Sequence, residues 1–77
     1  MTIAKLDPVV LTRDLPEEKL AAGDVGVVVH ACPEGVAYEV EVFTLTGETL
    51  TVATVPAGSV RAVGPRDVVS ARPVAAE

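Results

Sequence analysis

Two residues whose side chains could do chemistry lie close together near the middle of the chain. His30 and Cys32 are two positions apart, a spacing that places both side chains on one face of a strand. Such a pair could bind a metal ion or form a cysteine–histidine nucleophile couple. A metal site needs further ligands, however, and a reactive thiolate needs a positive environment, whereas this region is acidic. We therefore expect a half-exposed histidine and a small apolar thiol, with no catalytic, cofactor-binding or metal site.

A pair of carboxylates, Glu39 and Glu41, is the next candidate for chemistry. Two carboxylates could act as general acid and general base. Their alternation with Tyr38, Val40 and Val42 is instead typical of a half-buried strand whose polar side faces water. The pattern therefore predicts an acidic outer face rather than a catalytic pair.

The segment Gly23–Gly26 could be interpreted as a phosphate-binding loop. Its spacing differs from the Walker and dinucleotide fingerprints, no lysine follows, and a strand rather than a helix follows the second glycine. The segment also resembles the Gly-x-x-Gly-x-Val stretch of RNA-associated barrels. Basic residues are missing around it, and the chain holds only two aromatic residues for base stacking. A nucleic-acid partner is therefore not expected.

The acidic strand carries an apolar candidate for partner binding at its end. If the alternation is regular, Phe43 shares the outer face with Glu39 and Glu41, and an exposed aromatic beside charges is a common interface anchor. The alternative is that the strand twists or bulges and Phe43 caps one end of the core; the sequence leaves both open. The candidate partner-binding residues are Glu39, Glu41, Phe43, Leu45 and Glu48.

A small all-β domain must position these residues. Strands are predicted at 9–12, 24–31, about 38–42, 49–55 and 60–63, with Leu50 and Val52 pointing inward from the fourth strand. A short helical turn, capped by Asp14, is expected after the first strand. Gly26 is expected to mark a bulge, a bend or a close backbone approach. The fold class that follows is a five-stranded SH3-like barrel, with an OB-type barrel as the alternative.

Length and charge set further limits. The 77 residues predict one barrel domain over 1–63 and a tail over 64–77 that is either disordered or an added edge strand. The lone cysteine excludes an intrachain disulfide, and neither a signal peptide nor a membrane span is apparent, so the expected location is the cytoplasm. The net charge is −5, and residues 23–58 carry five carboxylates without any Lys or Arg. This surface would repel phosphate backbones and favour a basic partner.

Five ordered motifs and Leu20 carry a family resemblance over about residues 4–63. The motifs are V-V-L at 9–11, D-L-P-E at 14–17, G-D-V-G-V-V at 23–28, Y-E-V-E at 38–41 and G-E-T at 47–49. The chain resembles a family of small bacterial proteins catalogued as a domain of unknown function, which usually has Phe where Val42 stands here. A looser similarity links its strands to the SH3-like domain of nitrile hydratase β subunits and their activators, whose active-site cysteine motif is absent here. The resemblance implies an accessory or regulatory partner, in some cases of toxin-type proteins.

The predicted function is a non-enzymatic protein-interaction module. It would act as an accessory, regulatory or antitoxin-like partner of a larger protein, possessing no cofactor and no membrane association. A homo-oligomeric structural protein that uses edge strands and the apolar tail is the alternative. An RNA-associated barrel is the third interpretation.

Overall fold

The computed structural model describes residues 3–74 as five β-strands and three short 3-10 turns. The strands are β1 (Pro8–Leu11), β2 (Val25–Ala31), β3 (Ala37–Phe43), β4 (Thr49–Pro56) and β5 (Val60–Ala62). The 3-10 turns are Pro16–Glu18, Pro33–Gly35 and Ala57–Ser59. Residues 1–2 of the predicted domain and residues 75–77 of the predicted tail lie outside the described residues. The all-β class and the helical turn after the first strand are confirmed.

The strands form one antiparallel sheet in the order β4-β3-β2-β1-β5. The two outer strands, β4 and β5, do not pair with each other, so the sheet is not closed into a barrel. The expected closed barrel is therefore wrong. The strand β5 is only three residues long and pairs with β1 along one side. Its other side does not pair with β4, so the ring of strands stays open.

The hydrophobic core lies on one face of the sheet. The alternation predicted for β3 is confirmed, since Tyr38, Val40 and Val42 are buried while Glu39 and Glu41 point to the other face. The first 3-10 turn is joined to the core through Leu20, which pairs with Leu15 in an isolated bridge. The buried cluster comprises Val9, Leu11, Leu20, Val28, Tyr38, Val40, Val42, Ala53, Val55 and Val60.

The register of β4 differs from the sequence-based prediction. Leu50 and Val52 were expected inward, but they are 37% and 51% exposed, whereas Ala53 and Val55 are buried. The cause is the pairing with β3, in which Val52 lies opposite the outward-facing Glu41, whereas Ala53 and Val55 lie opposite the buried Val40 and Tyr38. The ladder is irregular only at its end, where Val42 pairs with Thr51 and Phe43 with Thr49, so that Leu50 is an extra residue in β4.

Gly26 lies where the β2 and β3 backbones approach each other closely. A Cβ at this position would lie 2.5 Å from Val40 Cγ1 and 2.7 Å from the carbonyl oxygen of Glu41. Of the three alternatives for Gly26, the structure therefore confirms the close backbone approach. The bulge in β2 occurs further along, between Val28 and His30.

The cap predicted for the first helical turn is absent. The residue before the turn is Leu15, which makes no side-chain capping bond. Asp14 instead accepts a hydrogen bond from the backbone N–H of Ala22 at 2.9 Å. The turn begins at Pro16, so Asp14 lies one residue before the capping position and its carboxylate binds the backbone at Ala22 instead.

The segment after β5 lies against the domain without forming a strand. Residues 64–74 add no strand to the sheet. Asp67 forms an ion pair with Arg61, and Arg72 forms one with Asp24 in the turn before β2. The segment thus runs from the β5 edge to the start of β2.

Candidate partner-binding surface

The outer face of β3 presents two carboxylates followed by an aromatic ring. Glu39, Glu41 and Phe43 occupy alternate positions of the strand, so all three side chains lie on the face opposite the core. The two glutamates are half-buried, and Phe43 is 43% exposed. The ladder irregularity lies directly beside Phe43, yet this residue is outside the buried cluster. The structure therefore places Phe43 on the outer surface.

Neighbouring strands position the carboxylate of Glu41. In the sheet Glu41 lies opposite Val27 of β2 and Val52 of β4. Its Oε2 accepts a hydrogen bond of 2.7 Å from Thr49 Oγ1. The carboxylate is thus held between two valines and next to a hydroxyl, which restricts its orientation and leaves it able to accept further hydrogen bonds.

The β3–β4 hairpin places the other two candidate residues. Thr44 organises the loop, since its N–H donates to the Glu48 carbonyl at 2.8 Å and its Oγ1 accepts from the Glu48 N–H at 3.1 Å. Gly47 has φ +95°, the left-handed conformation that the sequence predicts for this turn. The loop therefore presents Leu45, which is 78% exposed, and Glu48 at the end of the sheet.

A groove of about 340 Å³ lies between the hairpin and the segment after β5. Phe43, Leu45, Val25 and Leu50 supply its apolar wall, and residues 69–74 line the opposite side. The predicted residues are therefore divided between two neighbouring areas. Phe43 and Leu45 lie in the groove, whereas Glu39, Glu41 and Glu48 lie outside its lining.

An ion pair between Arg72 and Asp24 forms part of the groove lining. The Arg72 Nε donates to Asp24 Oδ1 at 2.9 Å, a second guanidinium nitrogen donates to Oδ2 at 2.5 Å, and that nitrogen also contacts the Lys19 carbonyl at 3.2 Å. Asp24 accepts a further bond from the Ala21 N–H. The hydrogen bond from Arg72 is the main cause of a lowered pKa of Asp24, against an opposing effect of burial.

This ion pair changes the acidic surface that the sequence suggests. Asp24 is one of the five carboxylates within residues 23–58, but its charge is balanced by Arg72. The sequence gives no sign of this pairing, since the two residues are 48 positions apart. The acidic surface consists of Glu39, Glu41 and Glu48.

A second ion pair lies at the β5 edge of the sheet. Two guanidinium nitrogens of Arg61 donate to the Asp67 carboxylate at 2.9 and 2.8 Å, and the Gly64 N–H donates to the same group at 2.6 Å. The Arg61 bonds, followed by the Gly64 bond, hold the pKa of Asp67 well below its usual range. This pair ties the beginning of the tail to β5.

The two residues that suggested catalysis lie in different places. His30 is exposed and lies opposite Glu39 in the β2–β3 ladder, beside one end of the acidic surface. Cys32 is half-buried beyond the end of β2. Within residues 3–74, no three or more His, Cys, Asp and Glu side chains are grouped so as to hold a metal ion.

Comparison with known proteins places the sheet in a family. The family model described as Domain of unknown function (DUF4926) matches residues 5–62. The chain belongs to this family. The DUF4926 match begins before β1 and ends with β5, so it includes the outer face of β3 and the hairpin, while Arg72 lies beyond it. The match confirms the resemblance to a family of unknown function.

Two further comparisons give no additional relatives. No curated protein and no solved structure matches this DUF4926 chain. Within residues 3–74, none of the helical segments has the length and apolar character needed to cross a membrane.

Proposed function

We propose that this DUF4926 protein is a non-enzymatic interaction module that binds a larger protein with a basic surface. The binding surface is the outer face of β3 together with the hairpin that follows it. The observation that carries this proposal is the position of Phe43, whose ring is 43% exposed on the face that carries Glu39 and Glu41.

The apolar part of this surface would supply affinity. Phe43 and Leu45 both line the groove, and both keep apolar area in contact with water. Full burial of a large apolar side chain contributes about 1.5–3 kcal/mol relative to exposure. An aromatic residue in the centre of an interface often contributes about 2 kcal/mol or more when it is truncated. Phe43 is therefore the expected anchor.

The charged part of the surface would select the partner. Glu39 and Glu41 precede the anchor on the same face of the strand, and Glu48 lies at the hairpin. No Lys or Arg occurs between residues 23 and 58, so the strands β2, β3 and β4 carry no lysine or arginine that could pair with them. Half-buried charges are screened by salt less than fully exposed ones. A partner with Lys or Arg around an apolar pocket fits this pattern, whereas a nucleic-acid backbone would be repelled.

The strand arrangement supports a wider relation. The order β4-β3-β2-β1-β5, with a 3-10 turn before the last strand, is consistent with an open variant of the SH3-like fold. We propose this relation on topology alone, and the similarity to nitrile hydratase accessory domains stays a prediction. The accessory or antitoxin-like role and the cytoplasmic location are part of the same proposal.

Affinity purification with matched variants tests the proposed function. The immobilised wild-type protein, Phe43→Ser and the double variant Glu39→Gln/Glu41→Gln are exposed to native lysate, and the bound proteins are quantified. Val68→Ser is the control for lost apolar area, because Val68 is 88% exposed and lies outside the groove lining. Glu17→Gln/Glu34→Gln is the control for lost charge, because these exposed glutamates lie in the 3-10 turns.

The proposal predicts a discriminating pattern. At least one protein should be enriched on the wild type and on both controls, and depleted on both β3 variants. Its enrichment should decrease as the salt concentration rises. If no protein distinguishes the β3 variants from their controls, the proposed surface is wrong.

A further inference from the structure

The two edges of the open sheet differ in how well they are protected against pairing with another strand. The β5 edge is three residues long and has Arg61 at its centre, paired with Asp67. Short length and charge are the usual means by which edge strands avoid association. The β4 edge has eight residues, T-L-T-V-A-T-V-P, and none of them is charged. Only Pro56, at its end, resists pairing.

Part of the β4 edge is open in the folded domain. Within residues 3–74, the backbone hydrogen bonds of Leu50–Val55 go to β3 alone. At the start of β4, Thr51 Oγ1 contacts Glu18 Oε1 at 3.4 Å, and a cavity of about 440 Å³ separates the strand from the first 3-10 turn and the tail. The section available to another strand is therefore Val52–Pro56.

We propose that the β4 edge pairs antiparallel with the β4 edge of a second copy of this chain, giving one continuous sheet of ten strands. This inference is independent of the proposed partner-binding surface. A twofold axis would set residues of the same strand opposite one another. Val52 and Thr54 lie exposed on the outer face of β4, and pairs of β-branched residues stabilise antiparallel strands.

The charge distribution favours a second copy at this edge rather than at the outer face of β3. Stacking two outer faces would bring Glu39 and Glu41 of one copy against the same residues of the other. Edge pairing separates the two β3 strands by three strand spacings, or about 14 Å. That distance exceeds the screening length of about 8 Å at physiological salt. Uncharged edges can thus meet while the acidic faces stay apart.

The expected dimer is of modest affinity. Only the short section Val52–Pro56 is available, so the interface falls below the size of about 1,200–2,000 Å² that is typical of stable complexes. We expect dissociation in the micromolar range, as for weak complexes with small interfaces. Weight-average mass from sedimentation equilibrium or light scattering across that range measures it directly.

Edge variants with a matched control provide the test. Val52→Lys and Thr54→Lys place a charge at exposed edge positions, and Val68→Lys places the same charge in the tail. We expect the wild type and Val68→Lys to dimerise with similar constants, and both edge variants to dimerise about tenfold or more weakly. Far-UV circular dichroism checks that each variant is folded.

Three results would overturn the inference. These are a wild type that stays monomeric throughout the micromolar range, edge variants that dimerise as the wild type does, and loss of dimer in Phe43→Ser while both edge variants retain it. The last result would locate self-association at the outer face of β3. Partner capture by the β3 surface is measured separately, so failure of the dimer leaves that proposal standing.

Discussion

Replacing Gly26 by alanine should destabilise the sheet, because it forces a side chain into the contact between β2 and β3. The new Cβ would lie 2.5 Å from Val40 Cγ1 and 2.7 Å from the Glu41 carbonyl oxygen. Carbon atoms in packed interiors are about 3.5–4.0 Å apart. Relief therefore requires a shift of about 1 Å in a fully buried side chain and in the backbone of a central strand.

The expected loss follows from that displacement. Overpacking of a well-packed core costs about 1–3 kcal/mol. The lower entropy of the unfolded alanine chain offsets about 0.4–1 kcal/mol of this. A rigid backbone neighbour favours the upper part of the range, so we expect a net loss of about 1–2.5 kcal/mol. Unfolding entropy of about 2.1 cal/mol/K per residue gives about 160 cal/mol/K for 77 residues, so the melting temperature should fall by about 6–16 °C.

Urea and thermal unfolding followed by circular dichroism measure this loss. Gly58→Ala is the matched control, because a Cβ at position 58 meets no atom within 4 Å. The control should be neutral or stabilised by up to about 1 kcal/mol. Both variants are compared at one protein concentration, since self-association would make the melting temperature depend on concentration. If Gly26→Ala is as stable as Gly58→Ala, the close approach of β2 and β3 is wrong.

Two further predictions concern the register of β4 and the tail anchor. Val55→Ala should lower the free energy of unfolding, measured in urea, by about 2–3 kcal/mol, and Val52→Ala by less than about 0.5 kcal/mol, because only Val55 faces the core. Equal losses in the two variants would contradict the register of β4. The pKa of Asp24 is lower in the folded protein than in the unfolded chain, where it is about 4. The bond to Arg72 therefore stabilises the fold above about pH 4, and this contribution is lost as the pH falls through the lower pKa of the folded protein. Arg72→Ala should therefore be less stable than the wild type at pH 7, and its melting temperature should fall less between about pH 4 and pH 2. Arg66→Ala is the control and should retain the wild-type profile. An unchanged profile in Arg72→Ala would contradict the role of the ion pair.

The sequence predicts β3 well and β4 poorly, for a physical reason. In β3 a shift of one residue would bury Glu39 and Glu41, so the charges specify a single register. In β4 neither face carries a charge, and valines occur on both faces, at positions 52 and 55. The pairing with β3, which sets Ala53 opposite Val40 and Val52 opposite Glu41, then decides which positions face the core, and no residue type in β4 indicates it.

Long-range features of the site are also absent from the sequence pattern. The alternation of β3 places Glu39, Glu41 and Phe43 on one face, which is enough to suggest the candidate surface. The groove, by contrast, depends on where the tail lies, and the tail is positioned by the contact of Arg72 with a residue 48 positions earlier. Neither local propensity nor periodicity reports such a contact. The sequence pattern also does not show that the sheet is open, since the number of strands does not determine whether the two outer strands pair.

The most direct test of the central claim is the affinity of the captured partner for the wild type, Phe43→Ser and Val68→Ser, measured by titration calorimetry. If Phe43 is the anchor of the interface, its truncation costs about 2 kcal/mol or more, and the dissociation constant rises about 30-fold or more. Val68→Ser should bind as the wild type does. A Phe43→Ser protein that is folded and binds its partner with wild-type affinity would contradict the assignment of the outer face of β3 as the binding surface.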